Sequence, residues 1–511
     1  MHRPVVSEYF DRRSSGLLLH VTSLPGRFGV GDLGPHARDF VARVAAAGQR
    51  YWQMLPVGPT GAGNSPYSSL STFAGNPLLI SPELLLEAGL VDGRELAAIE
   101  VPDSGRVDYP TVYHNKLALL EKAAQRFRSR SDQAMLGRFA DFTKAHGQLW
   151  LDEYCLYMAL QRVHGGGSWT EWEDGPARRQ PTSLAHARED LEESVEAHRV
   201  IQFLFFEQWG TLRRLAADHG IELVGDLPLY VAHDSADVWS NPDLFLLDDD
   251  GRPRVVSGVP PDYFSVTGQR WGNPIFDWEE MASRNFAWWR ARVRHALAMF
   301  DVLRIDHFRG IVGYWEIPAE EPTAVNGEWR PGPAEKVLGA LRDDLGELPI
   351  VAEDLGKITD DVIALREAFA IPGMRVAQFG FDKAPDATIH HPDTYPTNVW
   401  AYTGTHDNNT TKGWFWEGNP RHRVWRLKRP RRSLYRQVHG RIPWGLNEMV
   451  SRSRAMTSVF PVQDILELGA EARMNTPGIA TGNWEWRLRQ NQLTDDALER
   501  LHQLTRANSR S

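Results

Sequence analysis

The 511-residue chain has a single cysteine, Cys155, so no internal disulfide can form and nothing in its thiol chemistry points to an oxidising compartment. It lacks any apolar run near the length of a membrane span. It also lacks a basic excess. Lys and Arg total 57 against 66 Asp and Glu, a formal charge of −9, which gives no general field for nucleic acid. Residues 1–13 contain no apolar stretch and carry Glu8 and Asp11, so neither a secretory nor a transit leader is expected and the expected location is cytoplasmic. His20, His307 and His406 do not fall at a metal-ligand spacing, and no metal and no cofactor is expected. Repeats and low-complexity segments are missing as well.

What is present suits a large folded core: 42% of residues are apolar, and tryptophan is abundant at 19. Aromatic rings of this kind can fill a core or stack on a sugar ring. The chain opens with an apolar strand over 16–24, a helical stretch over 36–48 and a second strand over 51–57, a βαβ start that predicts a parallel sheet. Further strands are predicted at 221–231, 301–306, 348–353, 374–381, 398–407 and 457–464, giving about eight, the number of a barrel. Between about 82 and 220 the pattern is helical without a convincing strand. From about 231 to 282 it is rich in turn residues and aromatics, including Tyr263, Phe264 and Trp271, and is read as a long loop. The expected architecture is one (β/α)8 barrel domain over 1–511 with these two insertions.

Three of the strands end in carboxylates. Asp301-Val-Leu-Arg-Ile-Asp306 places Arg304 and Asp306 two apart, on one face of a strand, so the guanidinium can hold the neighbouring carboxylate ionised. The same pair would serve as a structural ion pair. The run ending in Glu353-Asp354 and the run ending in His406-Asp407 are the other two, and a barrel brings such ends together around one pocket.

The segments Arg304-Ile-Asp-His-Phe-Arg-Gly310, Ala352-Glu-Asp-Leu-Gly356 and Thr405-His-Asp-Asn-Asn-Thr410 together resemble the 4-α-glucanotransferase (amylomaltase) family. Ser65-Pro-Tyr67, Gly225-Asp-Leu-Pro-Leu-Tyr-Val231, Thr267-Gly-Gln-Arg-Trp-Gly-Asn-Pro274 and Ala472-Arg-Met-Asn-Thr-Pro-Gly478 extend the likeness over nearly the full length. The resemblance implies a TIM-barrel enzyme of the α-amylase superfamily that transfers part of an α-1,4-glucan to a glucose or glucan acceptor. It implies Asp306 as nucleophile, Glu353 as acid and base, and Asp407 as the group that orients and distorts the sugar. Tyr67, Asp226, Gln269, Trp271, Arg304, His406 and Asn475 are implied as substrate contacts, with maltooligosaccharides as substrates and neither nucleic acid nor membrane as partner. Ala62, Asn64 and Asn409 stand where the family often has Tyr, Asp and Asp. An α-amylase-type hydrolase is the alternative, and a catalytically silent glucan-binding scaffold is a third reading that the intact carboxylates oppose. The arginine-rich stretch 421–441 is read as a solvated helix face rather than a nucleic-acid site.

Overall fold

Alternation along the strands fixes the interior of this molecule. In the computed structural model, which describes residues 8–261, 265–383, 385–419 and 421–511, twelve strands occur among the described residues. They are β1 (Ser14–Leu18), β2 (Tyr51–Gln53), β3 (Glu222–Pro228), β4 (Val255–Val259), β5 (Gln269–Pro274), β6 (Val302–Asp306), β7 (Gly313–Pro318), β8 (Glu328–Pro331), β9 (Ile350–Ala352), β10 (Gly373–Val376), β11 (Val399–Tyr402) and β12 (Thr457–Pro461). Eight of them pair in parallel in the order β10-β11-β12-β1-β2-β3-β6-β9. The ends of that order meet, because Ala352 N donates to Pro372 O (2.9 Å) and Met374 N donates to Asp354 Oδ1 (2.6 Å). The sheet is therefore a nearly closed (β/α)8 TIM barrel.

One set of alternating side chains, with Leu18, Tyr51, Val224, Val302, Val351, Trp400, Tyr402 and Val459, forms a common buried cluster inside the barrel. Their sequence neighbours Leu17, Trp52, Leu223, Leu303, Ile350 and Ala401 belong to the cluster shared with the surrounding helices. Tyr51 and Trp400 lie with ring centres 4.7 Å apart, and Phe10 closes on Trp400 at 5.8 Å. Each large apolar side chain fully buried in this way contributes about 1.5–3 kcal/mol. Followed toward the carboxyl ends, the inward positions become Asp226, Arg304, Asp306 and Glu353, so an apolar floor lies directly beneath a charged layer.

β1 joins the first part of the chain to the last. It pairs with β2 on one side and with β12 on the other, from Ser14↔Thr457 to Leu18↔Pro461. Buried Arg510 ties the same region together, donating to the carbonyls of Ser14 (3.0 Å), Met456 (2.9 Å) and Ala455 (2.8 Å).

The stretch 82–220 contains helices and turns and no strand. Its long members are Tyr109–Arg130, Gln133–His146, Asp152–Val163 and Glu192–Asp218, the last leading into β3. Buried Phe203, Phe205 and Trp209 give Glu192–Asp218 its apolar face, and Gly220, at φ +70°, lets the chain turn sharply into the strand. No helix among the described residues is long and apolar enough to cross a membrane.

Two expectations are corrected. The region 231–282 is not simply a loop: β4 and β5 lie within it and join β7 and β8 in an antiparallel sheet of order β5-β4-β7-β8. β8 is exposed throughout and so carries no apolar alternation, which hides it from sequence reading. Tyr263 and Phe264 lie outside the described residues, as does the side chain of Ala62. The strand expected over 374–381 stops at Val376, where Ala377–Gly380 turns into a short helix. There Gln378 Nε2 donates to Asn409 O (2.9 Å), tying that turn to the Asp407 loop.

Candidate active site

The inward faces of β3 and β6 build a chain of polar contacts. Arg304 Nη1 lies 2.7 Å from both oxygens of Asp226, and its Nη2 donates to Asp306 Oδ1 at 2.8 Å. The Tyr67 hydroxyl donates to Asp226 Oδ2 at 2.6 Å. The side chains of Asp226 and Arg304 are 0% and 5% exposed, whereas that of Asp306 is 30% exposed. One cation thus serves two anions, the inner closed off and the outer partly open to solvent. Burial lifts Asp226 above the usual carboxylate range, with Arg304 pulling the other way and Asp306 adding to the rise. Arg304 is buried too, yet Asp226 and Asp306 raise it well above its ordinary value. The two shifts express one surplus negative charge. Burial and nearby Asp226 hold Tyr67 well above a normal phenol, so it remains a donor.

Glu353 sits one strand over, because Ile305 of β6 is paired with Ala352 of β9. Its Oε2 accepts from the backbone N–H of His307 (2.9 Å) and its Oε1 from that of Leu355 (3.1 Å). Burial, followed by repulsion from Asp306, nevertheless pushes its carboxyl up to about 8, with Arg304 and the His307 N–H pulling down. Two carboxyl groups at the ends of adjacent strands therefore stand in different surroundings, one bonded to a guanidinium and one inclined to hold a proton at neutral pH.

Asp407 arrives from the loop after β11 and is clasped from outside the barrel. Asn475 Nδ2 donates to its Oδ1 at 2.6 Å, and His406 Nε2 lies 3.4 Å from the same oxygen. Asn475 N also donates to His406 O (3.1 Å), while the His406 ring stacks on Tyr67 with centres 5.1 Å apart. Tyr67 thereby touches both branches, Asp226 through its hydroxyl and His406 through its face.

β5 carries Gln269 and Trp271 on one side of this cleft. Both are exposed, and the Trp271 indole donates to Gln269 Oε1 at 3.1 Å. The Trp271 ring stands edge-on to that of His307, centres 4.7 Å apart, immediately after Asp306. His307 adopts φ +53°, in the left-handed region, which reverses the chain after the strand end.

All ten residues singled out from the sequence are accounted for: Tyr67, Asp226, Arg304, Asp306, His406, Asp407 and Asn475 form one connected network. Glu353, Gln269 and Trp271 border it through His307. Sequence reading missed Arg473, Trp484 and His307 itself. Arg473 donates through Nη2 to Asp407 O (2.8 Å) and through Nε to Asn475 O (2.6 Å). Its place two residues before Asn475 was the available signal. Trp484 packs near both Tyr67 and His406, at 5.9 and 6.0 Å, from an irregular stretch with no periodicity to reveal it.

Comparison with known proteins identifies the relatives of this chain. The family model described as 4-alpha-glucanotransferase matches residues 19–494. The 4-alpha-glucanotransferase of Thermus thermophilus is 46% identical over 504 residues, covering 98% of this chain and 99% of that protein. The Synechocystis sp. 4-alpha-glucanotransferase is 46% identical over 492 residues, covering 95% of each. The structure of amylomaltase from Streptococcus agalactiae in complex with acarbose matches at a TM-score of 0.92 and 36% identity, covering 98% of this chain and 100% of that one. With the family model spanning most of its length and relatives this similar end to end, the chain belongs to the 4-alpha-glucanotransferase family.

Proposed function

We propose that this glucanotransferase cleaves an α-1,4-glucan and passes the freed segment to the 4-hydroxyl of an acceptor glucose or glucan by retaining double displacement. The observation that carries this is the contrast between Asp306, bonded to Arg304, and Glu353, whose carboxyl is pushed up to about 8. Protonated Glu353 gives its proton to the glycosidic oxygen while an Asp306 oxygen bonds to the anomeric carbon and the leaving glucan departs. The acceptor hydroxyl then yields its proton to the Glu353 carboxylate, attacks the anomeric carbon and frees Asp306. Two inversions keep the α configuration. Asp407, fixed by Asn475 and His406, binds sugar hydroxyls and favours the distorted ring of the positively charged transition state. Asp226 and Tyr67 hold Arg304 in place, and Trp271 with Gln269 offers a surface for the acceptor side. The helices of 82–220 and the antiparallel sheet are read as additions to one catalytic unit.

The relative named amylomaltase was solved with acarbose, a likeness that supports a maltooligosaccharide in this cleft. Incubated with maltotriose alone, the protein should yield glucose together with chains longer than the substrate. Glucose and maltose without any longer product would instead make it a hydrolase.

The pH dependence follows from Glu353. The acid must be protonated in the free enzyme, so kcat/KM on maltotriose should fall about tenfold per pH unit once the pH exceeds about 8, and should not fall on that account below it. A profile unchanged through about pH 9.5 would remove Glu353 from the acid role, and an alkaline limb near the ordinary carboxylate value would remove the raised carboxyl.

A further inference from the structure

Residues 421–441 contain eight arginines and Lys428 without one acidic residue, in a chain whose formal charge is −9. Some of these cations are used internally. Arg431 pairs with Asp382 (3.1 Å), Arg441 with Glu448, and Arg432 donates to Leu427 O (3.0 Å). Arg421, Arg423, Arg426, Lys428, Arg429 and Arg436 are exposed and form no ion pair among the described residues. Among them stands Trp425, 64% exposed, with the guanidiniums of Arg426 and Arg423 at 5.1 and 5.9 Å from its ring centre. The backbone beneath is braced: Arg432 donates to Trp425 O, and Asn419 bonds both N and O of Arg423, at 3.1 and 2.8 Å.

A solvated basic face accounts for charge but not for an indole held open to water at its centre. Exposed tryptophan offers a flat apolar face, and unpaired guanidiniums offer forked donors that match phosphate oxygens. The turn Val424–Arg426 and the helix Arg429–Gln437 belong to the connection between β11 and β12 that carries Asp407. A ligand held there is therefore held by the same connection that completes the catalytic cleft. We propose that Trp425 with Arg423 and Arg426, which make no contact with Asp306, Glu353 or Asp407 among the described residues, forms a surface site for α-glucan chains that carry phosphate monoesters. The sugar stacks on Trp425 and the ester lies among the guanidiniums. This rests on the glucan reading above. A single-stranded nucleic acid presents related groups, but it carries a charge at every nucleotide, and the acidic remainder of the chain opposes so dense a polyanion more than a sparsely esterified glucan.

The test uses the full chain and compares the wild type with a Trp425→Ala/Arg423→Gln/Arg426→Gln variant. Binding to amylose is measured before and after chemical phosphorylation, alongside disproportionation of maltotriose. The wild type should bind phosphorylated amylose about tenfold more tightly than the variant does, with the difference shrinking as salt is added. Both proteins should turn over maltotriose equally. Equal binding of phosphorylated amylose by the two proteins would overturn the site, as would tighter binding of a single-stranded oligonucleotide than of the phosphorylated glucan. Absence of longer products from maltotriose would overturn the glucan reading instead, so the two failures are distinguishable.

Discussion

Asp306→Ala should lower turnover of maltotriose by roughly a thousandfold or more, and Glu353→Gln should do the same, because in the proposed double displacement each removes a group that exchanges a bond or proton with the reacting atoms. The two losses have different companions. In Asp306→Ala, Arg304 keeps both oxygens of Asp226, so the buried cation is still paired and the melting temperature should move little. In Glu353→Gln, the amide oxygen retains only one of the two backbone N–H groups that the carboxylate accepts, from His307 and Leu355. The covalent and the proton-transfer roles separate with a substrate whose leaving group needs no proton, such as an activated aryl or fluoride glucoside. That substrate should restore the first half-reaction of Glu353→Gln and leave Asp306→Ala inactive. Turnover within about tenfold of wild type for Asp306→Ala, or rescue of that variant by the activated donor, would remove the nucleophile assignment.

Asp226→Ala should damage the protein itself. Both Asp226 oxygens hold Arg304, and neither side chain reaches solvent appreciably, at 0% and 5% exposure. Removing one partner of such a pair leaves a buried cation under-compensated, a loss on the order of 3–5 kcal/mol. The remaining partner, Asp306, would then be drawn toward Arg304 and away from the cleft, so activity should fall with stability. Tyr67→Phe is the milder comparison: it deletes one hydrogen bond to Asp226 and keeps the ring on His406, for about 1–2 kcal/mol. Denaturant unfolding followed by circular dichroism would decide it. If Asp226→Ala lost less than about 1 kcal/mol, the buried pair would not be the anchor described here.

The barrel was legible because its strands are apolar runs of the right length that stop at turn residues or carboxylates, and period-two alternation then placed Arg304 and Asp306 on one face. The same logic failed for β8, whose four residues are all exposed and whose partners are chosen by β7 alone. It also could not show how Asp407 is fixed. The hydrogen bond from Asn475 links residues 68 positions apart and depends on loops, where neither periodicity nor propensity determines position. The raised carboxyl of Glu353 lies between these cases. Its place at a strand end can be read from the sequence, but the balance among burial, Asp306 and Arg304 exists only in three dimensions.

The closing of the barrel by β1 against β12 has a consequence for how the molecule is made. On the ribosome, Ser14–Leu18 emerges well before Thr457–Pro461, with Arg510 later still. At about 5–20 residues per second, roughly 20–90 s pass between them. Throughout that time β1 presents an unpaired apolar edge of the kind that invites wrong partners. Asp407 likewise waits for Asn475 and Arg473. A growing chain therefore carries Asp306 and Glu353 before it holds the groups that fix Asp407, and protection of that open edge falls to whatever attends the growing polypeptide.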